Sequence, residues 1–286
     1  MYDKDMKQKR LFLFAGFTTN GKIDDSLIYY IKSLSAFGDV ILCMDSNLND
    51  GEINRIKKYT IHTIATHHGE YDFGSYKRCF QYARDCNILK NYDVLYLVND
   101  SVYGPTKPLN NIINRIEQIS TDAAGLIVSK HKTHAFMESW FVRLNKSVFM
   151  TKWFNDFMQS ITHLEHKYQI TVQYEHGLSN LITNNNCTWD GIYHVRGRYT
   201  YNKPKKLFLR GCPFIKKASF TRHNGALGYQ INYVLSHCDN AASKIIKKSG
   251  NDAYSHEYMS WFLTSNPLTY FTRGIKYIVQ KQRNKS

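Results

Sequence analysis

Between residues 10 and 130 the chain alternates short runs rich in β-branched and aromatic residues with segments of helical spacing. Residues 11–17, 40–44, 60–66, 94–98 and 123–128 read as five strands. Asp24 or Asp25 can cap a helix running to about Leu34, and Ser75 can open another through Cys79 and Tyr82 toward Leu89. Strands alternating with helices build an α/β fold, here a Rossmann-type, mostly parallel sheet flanked by helices. The fourth run is the most informative, because it stops abruptly at Asn99, Asp100 and Ser101 before the Gly104-Pro105 turn. In an open α/β sheet the ligand crevice lies beyond the carboxyl ends of the strands, so this ending aims the Asp100 carboxylate into it. The alternative is that Asp100 only initiates the turn.

Beyond residue 128 the pattern loosens. Residues 140–144 alternate as a further strand, 147–164 read as an aromatic amphipathic helix, and 174–183 as another. With no repeat or linker in view, the expected organisation is one continuous domain over 1–220 and a basic helical appendage over 221–286.

A chain of 286 residues that is 43% hydrophobic and 14% aromatic buries a real core and is not disordered. The apolar stretch at 11–17 is too short to span a bilayer, and no secretion signal is read. Cys43, Cys79, Cys86, Cys187, Cys212 and Cys238 lack paired spacing, which argues against a zinc module or disulfide framework and for a reduced, cytoplasmic setting.

The formal charge of +15 is unevenly placed. From Tyr201 onward 15 Lys and Arg face three acids, Asp239, Asp252 and Glu257, a net of +12. Such asymmetry points to an anionic partner: a lipid surface, a nucleic acid or a phosphorylated substrate. After Asn266-Pro267, the residues Leu268, Phe271, Ile275, Ile278 and Val279 recur at three-and-four spacing beside Arg273, Lys276, Lys281, Arg283 and Lys285. A basic amphipathic helix of this kind suits an anionic membrane surface; its alternative is to pack on the domain.

Four further clusters carry chemistry. The stretch from Gly69 to Lys77 follows the third strand and opens a helix. Gly69 and Gly74 permit close backbone approach, the helix amino end favours anions, and Lys77 and Arg78 add charge. This suits a nucleotide diphosphate, although the pattern is neither a P-loop nor G-x-G-x-x-G; alternatively, Asp72 caps a tight turn. His131, His134 and Glu138 match no zinc helix and read as substrate-facing loop residues or plain surface polars. Trp140 and Phe141 offer a sugar-stacking platform or belong to the core. Glu175, at the start of the 174–183 segment, is placed for a general base or for compensating a helix end. Arg210 and Lys216 can clamp phosphates, or lie in a solvated basic loop.

The combination of Tyr71-Asp72-Phe73-Gly74-Ser75-Tyr76-Lys77, Asn99-Asp100-Ser101-Val102-Tyr103-Gly104-Pro105, Glu138-Ser139-Trp140-Phe141 and Tyr174-Glu175-His176-Gly177-Leu178-Ser179 resembles the rhamnan-synthesis F family of bacterial polysaccharide glycosyltransferases over residues 11–216. Two departures stand out: Glu138 where glutamine is expected, and His67-His68 where the family carries Arg-Glu-Asn. The resemblance implies a GT-A-like glycosyltransferase with Asn99-Asp100-Ser101 in the place of an Asp-x-Asp element, and a divalent metal, Mg²⁺ or Mn²⁺, on Asp100. It implies Glu175 as base and Asp100 as its catalytic companion. Nucleotide-sugar contacts fall to Asp72, Gly74, Lys77, Asn99, Ser101 and Arg210, and acceptor contacts to His134, Glu138 and Trp140. The implied reaction is inverting transfer of L-rhamnose from a deoxythymidine-diphosphate donor to a lipid-linked glycan, in O-antigen, capsule or rhamnan synthesis, peripheral to the inner face of the cytoplasmic membrane. A uridine-diphosphate hexose such as galactose is the alternative donor. A nucleic-acid-binding protein is the non-enzyme alternative, and it leaves Asp100 and Glu175 without a use; no nucleic-acid partner is expected.

Overall fold

A computed structural model describes residues 8–131, 134–221, 227–264, 266, 268–269 and 272. The chain divides into two compact units, residues 1–100 with 113–197, and residues 101–112 with 198–286. This division falls earlier than the expected boundary at 220 and assigns 101–112 to the C-terminal unit. Most of the expected basic helix after Pro267 lies outside the described residues.

The first unit holds an eight-stranded sheet built from β1 (Arg10–Gly16), β2 (Asp39–Met44), β3 (His62–Ala65), β4 (Val94–Asn99), β6 (Ala123–Lys130), β7 (Ala135–Met137), β8 (Phe141–Asn145) and β9 (Trp189–Arg196). Its order is β3-β2-β1-β4-β8-β6-β7, with β9 on the other edge of β6. The first four strands are parallel, β8 runs against both β4 and β6, and β9 is parallel to β6. Two short strands share one edge of β6: β8 pairs with residues 123–125 and β7 with 128–130.

The runs that become β1, β2 and β4 form strands because they are buried on both faces, as a parallel sheet under helices requires, whereas β3 at the sheet edge is only half-buried. All six residues of β4 are buried, and five of six in β2. Phe12 stacks on Tyr96 with ring centroids 4.8 Å apart, and Tyr96 meets Phe141 edge-on at 5.7 Å. Asp24 is the cap of the Asp25–Ser35 helix, accepting from Ser26 N and Ser26 Oγ at 3.0 and 2.7 Å. The expected single helix over 147–164 is two, Lys146–Phe149 and Lys152–Ser160. They are broken because Thr151 caps the second through Phe154 N at 3.2 Å. The helix expected from Ser75 begins earlier, over Tyr71–Asp85, so Asp72 lies inside its first turn and does not cap it.

The strand order contains a reversal. The chain lays β1, β2 and β3 in one direction across the sheet, then returns to place β4 on the other side of β1. The loops leaving β1 and β4 therefore diverge, which opens a crevice at their carboxyl ends.

In the second unit β5 (Val102–Tyr103) pairs antiparallel with β10 (Ile215–Lys216). Around this ribbon Tyr103, Phe208, Phe220, Leu227, Ile231, Ile246, Met259 and Phe262 form a separate apolar core under the helices Pro204–Leu209, Leu227–His237, Asn240–Tyr254 and His256–Phe262. Of the charge, 17 Lys and Arg against three acids lie in this unit's sequence, leaving 21 against 20 in the first. Among the described residues no helix is long and apolar enough to cross a membrane.

Candidate active site

Asp100 stands at the switch point. Its backbone N–H donates to Ala15 O at 3.0 Å, extending the β1–β4 ladder, and its Oδ2 accepts from Phe17 N at 3.4 Å. The carboxylate thus sits half-buried at the joint of the two diverging strands. Asn99, one residue earlier, is fully buried and donates from Nδ2 to Asp72 Oδ2 at 2.8 Å. The strand end and the helix after β3 are thereby tied together, which brings three predicted residues into one place.

A second strand-end carboxylate was not singled out from sequence. Asp45 follows β2 as Asp100 follows β4, and its Oδ1 accepts from His68 N at 2.6 Å and Gly69 N at 3.0 Å. Burial opposes its ionisation, but these N–H donors and the neighbouring His68 and His67 rings outweigh that and hold the carboxyl below its ordinary value. The signal was present in sequence: an apolar run, then Asp45-Ser46, repeats the pattern that ends at Asp100. Asp45 clamps the loop that enters the Tyr71–Asp85 helix. Here Gly69 and Tyr71 are left-handed, at φ 69° and 57°. For Tyr71 that conformation is strained, and it persists only because the surroundings hold it.

Side chains of the protein itself crowd the segment expected to face phosphates. Gly74 is buried, and a Cβ there would lie 2.2 Å from Glu70 Cβ and 2.9 Å from His68 Cε1, so the glycine makes room for the protein's own side chains. Lys77 is also turned inward: its Nζ donates to Ile161 O at 2.7 Å and lies 3.6 Å from the Glu70 carboxylate. Burial resists ionisation of Glu70, but Arg78 at 2.8 Å and Lys77 hold its carboxyl below the usual value. The helix amino end already carries its anion.

Glu175 lies in a π-helical turn, Thr171–His176, that leads into the Gly177–Asn184 helix. Single π-type turns are frequent at functional sites. Its Oε1 accepts from Ser139 N at 2.7 Å and from Ser139 Oγ at 2.8 Å. Tyr76 donates from its hydroxyl to Ser139 O at 2.9 Å; burial first, then the Asp72 charge, pushes that phenol well above its ordinary range and keeps it a donor.

Glu138 and Trp140, expected as acceptor contacts, are bonded to each other and to β6. Both are buried; Glu138 Oε1 accepts from Ser129 Oγ at 2.8 Å and Oε2 from Trp140 Nε1 at 2.7 Å. Both oxygens of Glu138 are thus held, and the Trp140 indole lies in the core. Buried polar groups require such pairing. His134 differs: it is exposed, stacks with His131 at 4.9 Å and Phe136 at 6.0 Å, and meets His176 tilted at 4.8 Å between centroids. Phe136 and His176 lie 3.9 Å apart. Burial, then repulsion from His134 and His131, holds the His176 ring below its ordinary value.

Ser101 and Arg210 belong to the second unit. Ser101 Oγ accepts from the buried Lys216 Nζ at 3.0 Å, and its carbonyl accepts from Lys217 N at 2.9 Å. Arg210 is exposed at the end of the Pro204–Leu209 helix.

Among the described residues no three His, Cys, Asp or Glu side chains gather as a metal cage. A single strand-end carboxylate fits a hard divalent cation whose remaining ligands are phosphate and water oxygens.

Asp100 thus marks the strand-order reversal, and Glu175 stands on the π-helical turn held by Ser139. Residues 40–283 match the family described as rhamnan synthesis protein F, and the chain belongs to that family. No curated protein matches the sequence. Solved structures similar to it include a protein assigned as a nucleotide-diphospho-sugar transferase from Desulfovibrio desulfuricans G20, 16% identical over 88% of this chain and 98% of that one, with a TM-score of 0.43. The mannosyltransferase Ktr4p from S. cerevisiae in complex with GDP is 8% identical over 54% and 60%, with a TM-score of 0.37. A glycosyltransferase involved in glycosylation of the major capsid of PBCV-1 is 9% identical over 79% and 98%, with a TM-score of 0.38.

Proposed function

We propose that the protein transfers L-rhamnose, with inversion, from a deoxythymidine-diphosphate donor to a lipid-linked glycan during cell-surface polysaccharide synthesis. Asp100 carries this reading, because a carboxylate at the β1–β4 switch point lies where an α/β sheet receives a nucleotide. Phe17, whose N–H reaches Asp100 and whose side chain is 51% exposed, offers a ring to the nucleobase. Asn99 and Asp72 fix the floor of the donor site. Asp100 would hold Mg²⁺ or Mn²⁺, which when bound neutralises the diphosphate.

Glu175 takes the proton of the acceptor hydroxyl as that oxygen attacks the anomeric carbon. The bond from that carbon to the diphosphate oxygen breaks, and the nucleoside diphosphate departs. His134, exposed in the ring cluster next to the Glu175 turn, faces the acceptor. Lys77 is not the source of positive charge for the leaving diphosphate, since its ammonium is engaged by Ile161 O and Glu70. The basic second unit, with its C-terminal segment, meets the anionic inner face of the cytoplasmic membrane.

A thermal-shift panel of nucleoside diphosphates and nucleotide sugars, with and without Mn²⁺, tests the reading, because a ligand that binds only the native state raises its apparent stability. Selective stabilisation by deoxythymidine diphosphate is expected. A uridine-selective shift would replace the donor with a hexose such as galactose, and a flat panel in which Asp100→Ala also changes nothing would refute nucleotide binding at the switch point.

A further inference from the structure

We infer that Ser139 is a positioning residue for the Glu175 carboxylate and that the segment linking β7 to β8 is the rigid mount from which it acts. This rests on the proposed role of Glu175 as base. Ser139 directs two donors, its backbone N–H and its hydroxyl, at the same oxygen of Glu175, at 2.7 and 2.8 Å. One serine thereby fixes the position of Oε1 from two sides. Hydrogen bonds to a carboxylate are short and strong when the donors are held in advance of the charge.

The mount is held from several directions. Glu138 N donates to Ile127 O at 3.0 Å, and the Glu138 carboxylate binds Ser129 on β6 and the Trp140 indole. Tyr76 holds Ser139 O from the Tyr71–Asp85 helix, and Asn99 N reaches Trp140 O at 3.3 Å from the end of β4. Met137 N donates to Ser179 Oγ at 3.0 Å, which ties the same strap to the Gly177–Asn184 helix that continues from the Glu175 turn. Ser139 is itself 7% exposed. The side chains that first read as acceptor contacts, Glu138 and Trp140, thus serve the geometry of the base. Tyr76 and Asn99 link that geometry to Asp72 and to the donor end of the sheet. Sites built on rigid elements with locked rotamers hold reacting groups closest to their working geometry.

The test is a ¹³C NMR titration of the full-length protein carrying carboxyl-labelled glutamate, with the Glu175 signal assigned by its absence in Glu175→Gln. It needs no substrate. In Ser139→Ala the titration midpoint of Glu175 rises by on the order of one pH unit, because a donor to the ionised form is lost. Ser139→Thr, which keeps the hydroxyl, restores it, while the melting temperatures of all three proteins stay close. An unmoved midpoint in Ser139→Ala overturns the inference.

Release of nucleoside diphosphate from deoxythymidine-diphosphate rhamnose and from uridine-diphosphate galactose provides the second readout. With whichever donor is consumed, Ser139→Ala lowers kcat about tenfold with KM unchanged and moves the acidic limb of the pH profile upward. It lowers nothing further in the Glu175→Gln background, as two residues acting as one unit require. A Glu175→Gln protein with full activity would refute the base reading alone, and the titration would still decide whether Ser139 positions the carboxylate.

Discussion

Replacing Glu138 by alanine and by glutamine separates a framework carboxylate from one that binds substrate. In the native protein Ser129 Oγ donates to Oε1 and Trp140 Nε1 to Oε2, both within a buried environment. Alanine strands the indole N–H, which has no other way to turn, and leaves Ser129 to find a new partner. An abandoned buried donor costs about 1–3 kcal/mol and a lost hydrogen bond to a charged group about 1.5–3 kcal/mol. Removing the side-chain methylene from a packed site adds about 1 kcal/mol. With partial relaxation, Glu138→Ala should cost roughly 3–5 kcal/mol.

Glutamine behaves differently, because its carbonyl oxygen can accept from Trp140 while its amide donates to Ser129, whose hydroxyl also accepts. The loss of charge-assisted bonding is offset by the easier burial of a neutral group, so Glu138→Gln should lie within about 1 kcal/mol of the parent. The same satisfaction explains how this chain carries glutamate where the family resemblance implied glutamine. Urea unfolding followed by tryptophan fluorescence measures both variants, since Trp140, Trp153 and Trp189 report the first unit. The reasoning is refuted if Glu138→Ala unfolds at the parent's urea concentration, or if Glu138→Gln keeps full stability yet loses sugar transfer, which would return Glu138 to the acceptor.

Asp45→Ala leaves His68 N and Gly69 N without their acceptor and should cost about 1–3 kcal/mol in urea unfolding, whereas Asp45→Asn, which keeps a carbonyl oxygen, costs less. Gly74→Ala should be destabilised by about 1–3 kcal/mol, read as a lower melting temperature, because its Cβ would collide with Glu70 Cβ. His176 has a depressed pKa in the folded protein, so the unfolded chain binds the proton first as pH falls. Its contribution to stability is full above the unfolded value near 6.5 and is lost as pH drops toward the folded value; a melting-temperature profile that is no flatter in that window for His176→Gln would count against the ring cluster as its cause. Vesicles containing anionic lipid should float the full chain and not a chain ending at Ser265, and equal flotation of both would dismiss the C-terminal segment as the contact.

The fold was legible wherever burial imposed a local pattern. Residues 40–44 and 94–98 had to be β because unbroken apolar, β-branched runs of that length fit a sheet covered on both faces. Asp24, followed by an apolar helical face, had to begin a helix. The division of residues 147–164 into two helices was less visible, since the Thr151 cap competes with a continuous amphipathic stripe and only packing decides between them. At the site, Asp100 was legible because it ends a strand, and Asp45 carried the same signal unheeded. The surroundings of Glu138, Trp140, Lys77 and Gly74 were not legible for a common reason: a side chain's chemistry is visible in sequence, but the partner that occupies it is not. Glu138 finds Ser129 nine residues away across a strand pair, and Lys77 finds Ile161 eighty-four residues away.

The sequence alone determined that this chain builds an α/β sheet with a carboxylate at the end of its fourth buried run, and that its positive charge gathers at one end. Those properties follow from periodicity and composition, which act locally and survive without knowledge of neighbours. Only the tertiary structure decided the reversal of strand order that makes Asp100 a switch-point residue, the joining of Asn99 to Asp72, and the convergence of Ser139 on Glu175. Each of these depends on which segments the sheet brings side by side. Hydrogen bonds over two or three ångströms are set by that placement and not by spacing along the chain.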